Sequence, residues 1–378
     1  MNSKFRETHL IHLLQGFSHQ NLPLDVYIRN YFKSNKAIGS HDRKFLAETI
    51  YTMFRWLGLV DHYCDKNHNW ENRFKVFKTL DFSQTSSFES LPPNISVSFP
   101  KNLFELIEEN YGLSKAREFC LTSNTQAPTT IRVNVLKISR DSLYQKWKDK
   151  YKISLCSQSS VGIIFEKREN FFGMPEFKEG FFEVQDEGSQ LISFLVQAKP
   201  GQQVMDYCSG SGGKSLAFAP LMQSTGQIYL HDIRPHALQE AKKRLRRAGI
   251  QNAQILNFDD PKKSKLKNSM DWVLVDGPCS GSGTYRRNPD MKWRFDISAF
   301  QSMILDQRQI FKEALQFVKP GGKIIYSTCS ILKQENENQV DFFLKNLPVK
   351  LLGNPLNIFP VMRGMDGFYG ATFEKAPL

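Results

Sequence analysis

From about residue 177 onward, short apolar runs alternate with amphipathic stretches, and this rhythm restricts what the chain can fold into more than any other feature. "GQQVMDYC", "QIYLHDI", "NAQILNFDD", "DWVLVDGP" and "GKIIYSTCS" read as strands. "RPHALQEAKKRLRRAG", with Gly249 as its C-cap, and "AFQSMILDQRQIFKEALQFV" read as the helices between them. Parallel strands need long crossovers, and helices supply them, so the expectation is an α/β, doubly wound, mainly parallel sheet. Ligands of such sheets bind beyond the carboxyl ends of the strands. Cys208, Asp232, Asp259, Asp276, Cys279 and Cys329 all fall at those ends.

The first part of the chain has a different period. Leu10, Ile11, Leu13, Leu14 and Phe17 share one helical stripe, and Phe45, Leu46, Ile50, Met53 and Phe54 share another. The polar stretch "DFSQTSSFESLPPN", with Pro92 and Pro93, interrupts the pattern, which gives an all-helical domain over 1–95. "APTTIRVNVLK", "SRDSLYQKWKDKYKI" and "GIIFEK" then predict a small mixed α/β domain over 96–176, and 177–378 is the sheet domain.

Lys plus Arg exceed Asp plus Glu by 50 − 38 = 12, which points to a polyanionic partner, with nucleic acid ahead of mere solubility. The start "MNSKFRETHLIHLLQGF" lacks the apolar core of a signal peptide, and no run approaches a membrane span; a cytosolic, monomeric protein is expected. Six cysteines stand far apart without a CxxC pair, so the expectation is free thiols, no disulfide framework and no metal.

"DYCSGSGGKS" (206–215) follows the first of these strands and opens a helix. Its glycines allow a ligand to approach backbone amides. A phosphate loop would need glycine where Cys208 stands, and a dinucleotide fingerprint starting at Gly210 and Gly212 would need glycine where Ser215 stands. Asp232 lies 232 − 213 = 19 residues beyond Gly213, at the end of the next strand, where a carboxylate can take both ribose hydroxyls. An adenosine cofactor is indicated.

"DYCSGSGGK" (206–214), "DGPCSGSGTYRRNPDMKWR" (276–294), "STCS" (327–330) and "DGFYGATFEK" (366–375) together resemble the Nop/Sun family of RNA cytosine-5 methyltransferases. "IRVNVLK" (131–137) and "QDEGSQ" (185–190) are similar to further segments of it, and "DRKFLAETIYTMFRW" resembles an antitermination-factor-type RNA-binding domain. The chain departs from the family at Gly277, usually alanine, and at Ser211, often proline.

The resemblance implies a Rossmann-like methyltransferase that uses S-adenosylmethionine. It implies that Cys208, Ser209, Gly210, Ser211, Gly212, Gly213, Lys214, Asp232, Asp276 and either Asp259 or Asp260 line the cofactor site. It assigns the nucleophile to Cys329 and product release to Cys279, with Asp276 on the cytosine and Lys214 orienting the base or the aspartate. Carbon 5 of cytosine is a poor nucleophile, and a thiolate on carbon 6 activates it, which accounts for one cysteine; expelling that thiolate gives the second a task.

A base in a duplex cannot reach such a pocket, so unpaired cytosines in RNA loops are the expected targets. Arg286, Arg287, Lys292 and Arg294, beside Tyr285 and Trp293, carry the mixture expected for phosphate contact and base stacking. Ribosomal RNA is favoured over transfer RNA. Two other readings compete: an RNA-binding or ribosome-assembly protein without turnover, which the retained cysteines oppose, and a nicotinamide oxidoreductase, which leaves them unexplained.

Overall fold

The protein is described from a computed structural model, covering residues 3–17, 22–64 and 67–377. It divides into two compact units: residues 1–126 with 284–297, and 127–283 with 298–378.

The first unit is helical: α1 (Ser3–Phe17), α2 (Leu24–Ser34), α3 (Ser40–Arg55), α4 (Leu57–Tyr63), α5 (Trp70–Phe77), α6 (Pro93–Ser96), α7 (Lys101–Tyr111) and α8 (Leu113–Ser123). The stripes of α1 and α3 meet, burying Leu10, Leu13, Leu14, Leu46, Ile50 and Met53 in one core. Pro92 and Pro93 break the chain only briefly, because Pro93 opens α6 at a position where a helix tolerates a missing N–H. Helices therefore continue past residue 95, and the unit closes at Gln126.

In the second unit, β1 (Thr129–Val133), β2 (Ile153–Leu155), β3 (Gly162–Phe165) and β4 (Phe182–Val184) form an antiparallel sheet in the order β2-β3-β1-β4. α9 (Arg140–Trp147) packs on it through Leu143 and Trp147, and α10 (Pro175–Lys178) adds Phe177.

The large sheet comprises β5 (Gln203–Asp206), β6 (Gln227–His231), β7 (Ala253–Leu256), β8 (Met270–Asp276), β9 (Val318–Thr328), β10 (Val349–Leu351), β11 (Leu356–Ile358) and β12 (Phe368–Lys375). Its path is β10-β12-β9-β8-β5-β6-β7, with β11 also on β12. The five strands β7, β6, β5, β8 and β9 are mutually parallel, as the alternation predicts. β12 runs antiparallel to β9, so "DGFYGATFEK" lies beside the strand that ends one residue before Cys329.

α11 (Glu187–Ser193), α12 (Ser215–Phe218), α13 (Pro235–Ala248), α14 (Ile297–Leu315) and α15 (Glu337–Asn346) complete the chain. α13 starts on proline and ends at Gly249, whose φ of 82° is the left-handed cap expected there. Two apolar layers sandwich the sheet, one around Phe311, Tyr326 and Phe343, the other around Phe218, Leu238 and Leu245. Among the described residues no helix is long and apolar enough to cross a membrane.

Candidate active site

The parallel register explains why two cysteines distant in sequence meet. Asp276 at the end of β8 pairs with Ser327 near the end of β9, and the chain places a thiol just beyond each strand. The sulfurs of Cys279 and Cys329 lie 3.3 Å apart, within hydrogen-bonding reach. Hydrogen bonding to Cys329 and burial both push the Cys279 thiol well above its ordinary pKa.

Beside them Lys214 forms an ion pair with Oδ2 of Asp276, while Oγ of Ser327 donates to Oδ1 at 3.1 Å. Burial works against the Lys214 charge, but Asp276 outweighs it, with Cys329 adding to the same side, and the ammonium is held above the usual lysine range. The departure at Gly277 changes no packing, since an alanine methyl there would meet nothing within 4 Å.

The glycine loop runs from β5 into α12 with Gly210 and Gly212 at φ values of 53° and 77°. The amide of Gly210 donates to Asp232 at 2.8 Å, and Arg234 grips the same carboxylate at 2.9 and 3.0 Å. Burial raises the pKa of Asp232, but these partners prevail and hold it below the ordinary carboxylate value. Arg244 of α13 donates to both the carbonyl and the hydroxyl of Ser211, so the serine departure is anchored. On the other side Arg132 of β1 donates to the carbonyl of Gly213 at 2.9 Å and also bonds Gln185. Glu183 of β4 is bound by Arg244 and Arg247.

Two buried polar atoms in this loop region, Oδ1 of Asp206 and Oγ of Ser209, have no hydrogen-bond partner among the described residues. Burial is the largest influence on Asp206 and, although Ser215 donates to it, its pKa is pushed up to about 7. Open backbone, an acid at the next strand end and polar atoms lacking partners fit a ligand with amine, carboxylate and ribose groups. Asp259 is exposed, whereas the carboxylate of Asp260 accepts the amide of Lys262 as a helix cap. Exposed Ile233 and Phe258 flank the ends of β6 and β7.

Cys208, Ser209, Gly210, Ser211, Gly212, Gly213, Lys214, Asp232, Asp276, Cys279 and Cys329 thus gather at one edge of the sheet. Sequence reasoning missed Asp206, Ser327, Arg132 and Gln185 as neighbours of the site. Their signals were present only as an acid opening the glycine motif and as polar residues in otherwise strand-like runs.

The basic stretch after Cys279 is a different matter. Arg286 and Lys292 are buried, not presented to solvent. The Lys292 ammonium donates to the carbonyls of Arg55 and Ser98 and to Oδ1 of Asn124 at 2.7–2.8 Å, over the ring of Phe99. The indole of Trp293 donates to the carbonyl of Phe54, and Arg294 donates to the carbonyl of Leu22. Arg287 is half-buried. The expectation of a phosphate-binding strip is corrected at Arg286 and Lys292, because tertiary hydrogen bonds and burial claim those cations for the helical unit.

A glycine loop followed by an acidic strand end, at the carboxyl edge of a parallel sheet, fits the adenosine-bearing cofactor of an S-adenosylmethionine-dependent methyltransferase. Residues 193–374 match the family model described as 16S rRNA methyltransferase RsmB/F, and residues 99–171 match the ferredoxin-like domain of RsmF/B-like methyltransferases. The chain is 30% identical over 302 residues to a probable ribosomal RNA small subunit methyltransferase B of Synechocystis, covering 74% of this chain and 67% of that one. It is also 30% identical over 385 residues to a 26S rRNA (cytosine-C(5))-methyltransferase of Caenorhabditis elegans, covering 94% of this chain and 56% of the relative. A crystal structure of a methyltransferase homolog from Pyrococcus horikoshii superposes with a TM-score of 0.66 at 25% identity, covering 78% of this chain and all of that one. The chain belongs to the RsmB/F family, within the Nop/Sun group of methyltransferases. It spans about two thirds of the length of the first of these relatives and about half of the second.

Proposed function

We propose that this chain methylates carbon 5 of a cytosine in structured RNA, ribosomal rather than transfer RNA, through a covalent cysteine adduct. The observation that carries this reading is the pair of thiols 3.3 Å apart at two adjacent parallel strand ends, beside the Lys214–Asp276 pair. The substrates in the relatives' names, ribosomal RNAs, support the choice of RNA.

S-adenosylmethionine, when bound, supplies an electrophilic methyl group. Gly210, Gly212, Gly213 and Asp232 would hold it, with Asp259 toward the adenine and the unpartnered atoms of Asp206 and Ser209 within the loop. Cys329 as a thiolate bonds to carbon 6 of the cytosine, which shifts electron density to carbon 5. Asp276, fixed by Lys214 and Ser327, meets the ring nitrogen and exocyclic amine and stabilises the charge that addition creates. Once carbon 5 carries the methyl group, its proton passes to a base such as solvent water, and the electrons of that C–H bond re-form the carbon 5–carbon 6 double bond. As it forms, the carbon–sulfur bond breaks, with its electron pair returning to Cys329. Cys279 assists this release, since its thiol sits within reach of the departing sulfur. The helical unit contributes RNA affinity.

Bisulfite sequencing of total RNA with and without the gene tests the reaction: one cytosine protected only when the gene is present is expected, and an unchanged pattern overturns it. Cys329→Ser should abolish methylation, while Cys279→Ala should leave protein covalently joined to methylated RNA, seen as a protease-sensitive band on a denaturing gel. A band from the Cys329 variant and none from the Cys279 variant would reverse the two roles.

A further inference from the structure

Two identical thiols in contact raise the question of which one ionises, and their surroundings differ in net charge. On the Cys279 side, Glu335 lies fully buried just after β9. Its carboxylate accepts the amide of Ser280 at 2.8 Å, the hydroxyl of Ser280 at 2.6 Å and Nε2 of Gln307 at 2.9 Å. The same Gln307 amide donates to the carbonyl of Pro278 at 2.9 Å. The residues before and after Cys279 are therefore both held by one Gln307–Glu335 clamp. Tyr326 completes it, donating to Oε1 of Gln307 and to the carbonyl of Glu335.

No cation among the described residues pairs with the Glu335 carboxylate. Arg308, a basic residue on the facing helix α14, donates to Gln339 instead. On the Cys329 side the nearby charges are the Lys214 ammonium and the Asp276 carboxylate, held together as an ion pair, and that ammonium is stabilised electrostatically by Asp276 and by Cys329. A buried anion disfavours a thiolate beside it, and a cation favours one.

We propose that Glu335, braced by Gln307, is a positioning residue that fixes the Cys279 loop and keeps Cys279 the protonated member of the thiol pair, leaving Cys329 to ionise. The proposal rests on the reading above that both thiols act on the base, and it gives a physical cause for their different roles. The groups facing the pair are Glu335 and Tyr326 toward Cys279, and Lys214 toward Cys329, with Asp276 held between Lys214 and Ser327. The elevation of the Cys279 pKa, due first to the hydrogen bond with Cys329 and to burial, includes a contribution from Glu335.

The test needs neither RNA nor cofactor, so it fails or succeeds independently of the methylation assay. Initial rates of iodoacetamide alkylation at each cysteine are measured by peptide mass spectrometry between about pH 6 and pH 10. In the unmodified protein the half-maximal pH for Cys329 should lie below that for Cys279, and the opposite order overturns the proposal whatever any variant does. Glu335→Gln should move the Cys279 midpoint down and raise its rate at pH 8 by about tenfold, one pKa unit's worth. Ser280→Ala retains the carboxylate and should leave the midpoint in place. If Glu335→Gln and Ser280→Ala both raise the Cys279 rate equally at every pH with no midpoint shift, the clamp merely limits access and the electrostatic role is refuted.

Discussion

Lys214 and Lys292 are both buried ammonium groups, yet they sit in regions that use charge in opposite ways. Lys214, at the strand-end site, faces the carboxylate of Asp276. Lys292, in the segment that joins the helical unit, faces three neutral oxygens and an aromatic ring. Burial lowers the pKa of Lys292 well below the ordinary value, whereas Asp276 reverses the effect of burial at Lys214. A cation paired with a carboxylate holds that carboxylate in place and charged, whereas one whose three donors are all satisfied by carbonyls can only hold structure.

Removing each lysine should therefore damage a different property. Lys214→Met should cut methyl transfer by about 100-fold or more, because it unbalances the Asp276 carboxylate that we propose meets the base. Thermal unfolding should show a much smaller change. Lys292→Met leaves three buried acceptors without donors and should cost about 3 kcal/mol in urea unfolding, while RNA affinity of the folded fraction at low temperature stays near its original value. A loss of RNA affinity without loss of stability would return Lys292 to the RNA contacts.

The signs with pH are also opposed. Lys292, depressed in the folded state, should make stability rise as the pH climbs from its folded pKa toward that of a free lysine, since the unfolded chain binds the proton more tightly. Lys214, elevated in the folded state, contributes stability that is present below the free-lysine pKa and lost as the pH rises through its folded value. Denaturation followed between pH 8 and about 11 in the two Met variants separates the trends.

Asp232→Ala should weaken S-adenosylmethionine binding by roughly 1.5–3 kcal/mol in calorimetry, as expected for a lost hydrogen bond to a charged group. Unchanged affinity would remove it from the cofactor site. The smallest effect belongs to Arg294→Ala: its side chain is 39% exposed and its ion pair with Asp290 spans 3.7 Å, so the loss of stability should stay below about 1 kcal/mol.

The sequence by itself determined the parallel core of the sheet, the glycine loop and the placement of Asp232, Asp276, Cys279 and Cys329 at strand ends. Each of these follows from local pattern: hydrophobic period, turn residues and the rule that ligands meet the carboxyl edge. Gly249 as a cap was legible for the same reason. What only the tertiary structure decided are relations between distant segments. The Lys292 ammonium meets the carbonyl of Arg55 across 237 residues, and nothing in "NPDMKWR" distinguishes a cation destined for that cage from one left in solvent. β12 beside β9, Arg132 on the glycine loop and Glu335 beneath Cys279 were equally hidden, because each depends on long-range register. Composition sets how many charges a chain carries; desolvation and the oxygens that packing brings near each one decide whether that charge binds a partner, tunes a thiol or locks a fold.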